Sequence, residues 1–153
     1  MTNKGKSPHD FRISGKKTAV LAPGKAATLK VALRAGKAAY LANCAACHQP
    51  DGKGLAGAFP PLADSDYIRN VPKDRLVDVV LKGLSGKVKV NGVDYDGVMP
   101  ALNHLSDTDI ANVLSYVANS WGNAGANVAA ADVAPRRGTI DPCGRSGALE
   151  NRC

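Results

Sequence analysis

Aromatic side chains are scarce in this 153-residue chain: one Trp, four Tyr and two Phe make up 5% of it, although 44% of the residues are hydrophobic. A core filled by small aliphatic groups alone is thin for a chain of this length. No run approaches the roughly 18 consecutive apolar residues of a membrane span, so no spanning helix is expected and the protein is expected to be soluble. The first eighteen residues lack the apolar stretch of a secretory leader. Cysteine and histidine are sparse, at four and three residues. Acidic residues are nearly missing at the start: residues 1–35 carry eight Lys or Arg against Asp10, residues 36–122 eight against nine, and residues 123–153 four against three. The net charge of +7 therefore belongs to an N-terminal arm. That arm lacks the aromatic interleaving of a nucleic-acid-binding surface, so its lysines read as solvated and no nucleic-acid partner is expected.

What little cysteine and histidine there is gathers in one place. The stretch "YLANCAACHQPDGKG" sets Cys44 and Cys47 two residues apart and follows them with His48. Three chemistries use such a pair. A structural zinc site needs two further ligands, usually at short internal spacing, and Cys143 and Cys153 lie nine residues apart in a polar tail. A thioredoxin-like dithiol expects a strand before it, whereas "RAGKAAYLANCAACH" is alanine-rich and reads as helix. Covalent haem attachment uses all three residues. Two thiols on one helical turn form thioethers with the two vinyl groups, and the adjacent imidazole supplies an axial nitrogen to iron. A haem would also supply the apolar bulk that the composition lacks.

Around this motif the chain divides into an arm at 1–34, a helical body at 35–123 and a tail at 124–153. In the arm, Phe11 and Ile13, then Leu29, Val31 and Leu33, alternate on either side of a Pro23-Gly24 turn, so a small β segment is expected. In the body, Gly36, Tyr40 and Cys44 recur every four residues and share one helix face. A second helix starts near Pro72 with Leu76, Val79, Val80 and Leu84 at three-four spacing, and ends between Gly83 and Gly86. "KVKVNGVDYDGVMPAL" reads as a β-hairpin turning at Asn91-Gly92 and delivering the chain to Met99. A third helix opens at "SDTD", with Ser106 as cap and Asp109 answering it, and carries an apolar stripe of Ile110, Val113, Leu114, Val117 and Trp121 before Gly122. The tail has no periodicity and is expected to be disordered, and no function is assigned to Cys143 or Cys153.

The span from about Gly36 to Gly122 resembles a class I c-type cytochrome domain. The resemblance is carried by "CAACH", "FPPLADSDY", "YDGVMPAL" and "LSDTDIANVLSYVANSWGN". The last two look most like domains that serve, or are fused to, bacterial dehydrogenases, terminal oxidases or copper nitrite reductases. The resemblance implies a mainly α fold of three or more helices around one covalent haem, in which Gly36 and Tyr40 of the first helix meet Val113 and Tyr116 of the last. It implies that Pro60 and Leu62 form the family's Pro-x-Leu segment, whose proline carbonyl accepts the ring N–H of His48. It also implies a methionine as sixth ligand on the loop before the final helix, where Met99 is the candidate. His104, five residues on, is the competing ligand, and its place just before the helix cap reads as solvent-facing. Residues 3–33 resemble the middle strands of a cupredoxin, in which His9 of "PHDF" would bind copper, but no later Cys, His and Met cluster on one loop to complete such a site.

The expected function is one-electron transfer by a single haem iron ligated by His48 and Met99, without enzymatic activity. Expected partners are a redox donor and acceptor docking transiently at the exposed haem edge, one of them a fused or associated redox enzyme. The resemblance implies a periplasmic location, with the leader already removed. Two alternatives stand beside this: a haem enzyme or gas sensor with an open distal site, and a copper-binding module in the arm.

Overall fold

The helix that opens at "SDTD" is the one against which the others are laid. The computed structural model describes residues 12–13, 16–17 and 25–138. Their element order is β1 (Arg12–Ile13), β2 (Lys16–Lys17), α1 (Lys25–Asn43), α2 (Ala45–His48), α3 (Asp66–Asn70), α4 (Lys73–Lys82), β3 (Leu84–Val90), β4 (Val93–Met99), α5 (Asp107–Ala118) and α6 (Ala130–Arg137). The architecture is mainly helical with one substantial hairpin, as expected.

α5 starts where its cap dictates. The Asp109 N–H donates to Ser106 Oγ at 3.1 Å, and Ser106 Oγ donates back to the Asp109 carboxylate at 2.7 Å. Two apolar faces run along it. Ile110 and Leu114 pack with Leu76, Val77, Val80 and Leu81 of α4 and with Val133 of α6. Val113 and Val117 pack with Tyr40 of α1, joined by Tyr116 and Trp121. The few aromatics cluster here: Tyr40, Tyr116 and Trp121 have ring centroids 5.2 to 5.7 Å apart in tilted or edge-on pairs. α1 reaches α5 at Gly36. A Cβ there would collide with the Asn112 carbonyl and come within 2.8 Å of the Tyr116 Cβ, so hydrogen is the substituent that fits.

Three expectations change. Leu29, Val31 and Leu33 lie inside α1, which crosses the expected boundary at residue 34, rather than on a strand. The alanines at 26, 27, 32, 35, 38 and 39 favour helix, and on a helix Leu29 and Leu33 share a half-buried face while Val31 is 67% exposed. The arm does hold a β pair, but it is Arg12–Ile13 against Lys16–Lys17. His9 and Phe11 lie outside the described residues. Trp121 does not extend the α5 stripe: the helix ends at Ala118, and Trp121 sits beyond it in the left-handed region at φ 51°. Finally, residues 130–137 of the expected disordered tail form α6.

α6 is held by charge as much as by Val133. Arg136 donates to both carboxylate oxygens of Asp78 on α4, with Nε to Oδ1 at 3.0 Å, and Arg137 donates to Asp107 and to the Asn103 carbonyl. Lys73 pairs with Asp132 at 2.9 Å. Burial alone would raise the Asp78 carboxyl, but hydrogen bonds from Arg136 and Lys82 outweigh it and hold the group below the usual carboxylate range. A group depressed in the folded state stabilises above its unfolded pKa of about 3.9 and loses that contribution as pH falls through the lower folded value. Arg136→Ala is therefore expected to cost about 1–2 kcal/mol in denaturant unfolding at neutral pH. The difference from the parent should shrink below about pH 4. A difference that persists undiminished at pH 3 would contradict this assignment.

Candidate functional site

α1 breaks at Cys44, and α2 resumes the turn. The His48 N–H donates to the Cys44 carbonyl at 2.9 Å and the Cys47 N–H to the same oxygen at 3.2 Å, so both thiols and the imidazole share one turn. Gln49 at φ 63° ends the turn, and its carbonyl accepts from the Tyr40 hydroxyl at 2.6 Å. Burial raises the Tyr40 hydroxyl pKa. Cys44 and Cys47 are half-buried free thiols. Burial, and then the neighbouring Cys47, push the Cys44 thiol up to about 11. That is opposite to the lowered pKa of a reactive dithiol.

His48 is buried, with Nδ1 2.9 Å from the Pro60 carbonyl. A carbonyl can only accept, so Nδ1 carries the hydrogen and Nε2 keeps a lone pair. Burial lowers the imidazole pKa, and the Pro60 bond opposes it. The neutral, ligand-competent form is thus favoured near neutral pH. Pro60, rather than Pro61, supplies the acceptor. Its segment is brought to the helix by Gly54, where a Cβ would lie 2.7 Å from the Pro60 oxygen, and by Gly52, whose carbonyl accepts from the Leu62 and Ala63 N–H groups.

From His48 an apolar slot runs to the hairpin. Its two sides share His48, Pro60, Leu84, Val88 and Met99; Cys47 lines one side, and Cys44 and Leu62 line the other. The larger side encloses about 700 Å³ of empty space, part of it open to solvent. β3 and β4 form its outer wall in the register Val88↔Tyr95, and their turn has Asn91 and Gly92 both at positive φ, which suits the hairpin twist. Met99 ends β4, half-buried on this wall, while His104 is exposed and lines neither side. Cys44, Cys47, His48, Pro60, Leu62 and Met99 are therefore brought to one slot. Among the described residues, no three His, Cys, Asp or Glu stand close enough to hold a metal ion.

Two residues that brace this slot carried no sequence signal beyond generic polarity. Asn123 accepts from the Ser65 N–H at 3.1 Å and donates to the Leu62 and Val117 carbonyls at 2.8 and 2.9 Å, tying the proline segment to the end of α5. Asp66 bonds to Asn91 at the hairpin tip.

The donor set fits a covalent haem: two thiols one turn apart, an imidazole with Nδ1 engaged and Nε2 unprotonated, a thioether on the shared wall, and apolar lining between them. The comparisons agree. The sequence model "Cytochrome c" matches residues 33–121. Cytochrome c-552 of Thermus thermophilus is 42% identical over 94 residues, covering 60% of this chain and 72% of its own. The cytochrome c subunit of the quinone alcohol dehydrogenase of Gluconobacter oxydans is 36% identical over 115 residues, covering 74% of this chain. The FixP subunit of the cbb3-type cytochrome c oxidase of Azorhizobium caulinodans is 34% identical over 106 residues, covering 67%. The chain spans 24% of the length of the dehydrogenase subunit and 34% of that of the oxidase subunit.

Proposed function

Because the chain belongs to the cytochrome c family, which carries covalently bound c-type haem, we propose that it is a one-electron carrier with Cys44 and Cys47 as attachment points and His48 and Met99 as axial ligands. When bound, the haem supplies the ferric/ferrous couple. The observation that carries the reading is His48: buried, locked by Pro60 into the tautomer with a free Nε2, and sharing a slot with Met99. Pro60 keeps the imidazole oriented and raises its basicity as a ligand. Leu62, Val88 and Leu84 exclude water from the slot. Filling both axial positions with residues of the chain leaves no coordination site for substrate, so the protein passes electrons and performs no bond chemistry. The thioether of Met99 stabilises ferrous iron and favours a high potential.

Electrons would cross at the slot mouth, where Ala58, Phe59 and Val98 stand exposed beside Cys47. A redox donor and acceptor would dock there through a small transient interface. The dehydrogenase and oxidase subunits among the relatives support a redox enzyme as one partner, fused or associated. Among the described residues no helix is long and apolar enough to cross a membrane. We place the chain in the bacterial periplasm on the family resemblance.

The test is expression with export and haem-attachment machinery, followed by haem staining of a denaturing gel and a redox titration. The expected result is a stain that survives denaturation and a single one-electron transition. Cys44→Ser should retain one thioether and shift the reduced absorption bands to the red, since one vinyl stays conjugated. Complete loss of the stain on denaturation of the parent would falsify covalent attachment.

A further inference from the structure

Resting on the His48 and Met99 reading above, we propose that Asp66 and Asn91 form a latch that positions the hairpin and thereby holds Met99 across the slot from His48. The Asp66 N–H donates to Asn91 Oδ1 at 2.9 Å, and the Asn91 N–H donates to Asp66 Oδ1 at 2.7 Å. Each side chain thus receives the other's backbone amide. The bonds join two places with no other reason to be rigid together. Asp66 is the first residue of the five-residue helix α3, whose amide has no partner within the helix, and Asn91 is the first residue of a two-residue hairpin turn.

What the latch connects gives it its role. Behind Asp66 stands Ser65, 1% exposed, held by Asn123 to Leu62 and to the end of α5. Leu62 follows the proline segment that orients His48. Beyond Asn91, paired strands run directly to Met99. The proximal and distal walls of the slot are therefore linked by one line of hydrogen bonds through α3. At its base the hairpin is fixed by packing at Gly83 and by the Leu102 N–H on the Val80 carbonyl at 2.9 Å. The tip, with Val93 and Val98 exposed on β4, has no apolar anchor of comparable size. A hairpin hinged at its base and released at its tip would let Met99 leave iron more often, without unfolding the helices. Asp66 and Asn91 are positioning residues; neither lines the slot.

The experiment uses the full ferric holoprotein and imidazole as an external ligand, which must displace the native sixth ligand to bind. Asp66→Ala and Asn91→Gly, the latter keeping a residue suited to positive φ, should each bind imidazole about tenfold more tightly than the parent, the order expected for one or two exposed hydrogen bonds. Asp66→Asn, which retains an acceptor oxygen, should bind nearly as the parent does. Arg137→Ala, which loosens α6, should lower the melting temperature and leave imidazole affinity alone. Unchanged affinity in both Asp66→Ala and Asn91→Gly overturns the latch. A parent lacking the far-red charge-transfer band of methionine ligation overturns the Met99 reading itself, and the latch with it.

Discussion

Replacing Met99 by alanine is expected to abolish the weak far-red band of the ferric protein and to open the sixth coordination position to water, cyanide or imidazole. It should also lower the reduction potential by on the order of 0.1 V, within the roughly 0.8 V range that axial ligation spans. His104→Ala should leave the spectrum and potential unchanged. The contrast follows from placement: Met99 closes β4 on the same apolar wall as Leu84 and Val88, whereas His104 is exposed on the turn before Ser106. Pro100 holds the residue before it in extended geometry, consistent with Met99 being the last strand residue. A far-red band that survives loss of Met99 removes it as a ligand; a band lost with His104 transfers the role.

The second large effect is expected at Gly36, where two opposing terms can be weighed. Alanine in place of glycine inside a helix favours the isolated helix by about 1 kcal/mol. In the folded protein the added methyl would meet the Asn112 carbonyl and the Tyr116 Cβ. Both lie on or at the root of the α5 backbone and cannot rotate away. Relieving the clash requires moving the α1–α5 crossing, with a net cost of about 3 kcal/mol or more. Gly36→Ala should therefore lower the denaturation midpoint of the holoprotein markedly, and Gly36→Val should prevent it from accumulating. A peptide of residues 25–43 carrying the alanine should meanwhile be more helical than its parent. If the alanine variant is as stable as the parent, the crossing is looser than the close approach implies.

Much of this was legible because it depends on local chemistry. The motif at 44–48, the Asn91-Gly92 turn, the Ser106 cap and the Pro72 start each rest on a few adjacent residues whose conformational preferences agree with the fold. The alternation of Leu29, Val31 and Leu33 misled because three residues fit a strand period while the surrounding alanines set the backbone, and the helix put Val31 outward. Residues 130–137 were hidden for a different reason. Their short helix, interrupted by Pro135, is weak alone and is held by Asp78, Asp107 and Asp132 pairs that only the tertiary fold assembles. The Asn123 and Asp66–Asn91 bonds join residues that are distant in sequence, so no window of sequence displays them.

The separation between Gly36 and its partner helix bears on the order of events during synthesis. The contact at Asn112 closes a loop of about 76 residues. The logarithmic law makes such a closure cost about 4 kcal/mol of chain entropy before any packing compensates. The hairpin, by contrast, closes over two residues and can form on the microsecond scale. The segment bearing Cys44 and Cys47 is thus completed early in translation, yet its packing surface, Val113 and Val117, is made some seventy residues later. In that interval the two thiols remain on an open chain, accessible to any machinery that must reach them before α5 arrives to bury Tyr40.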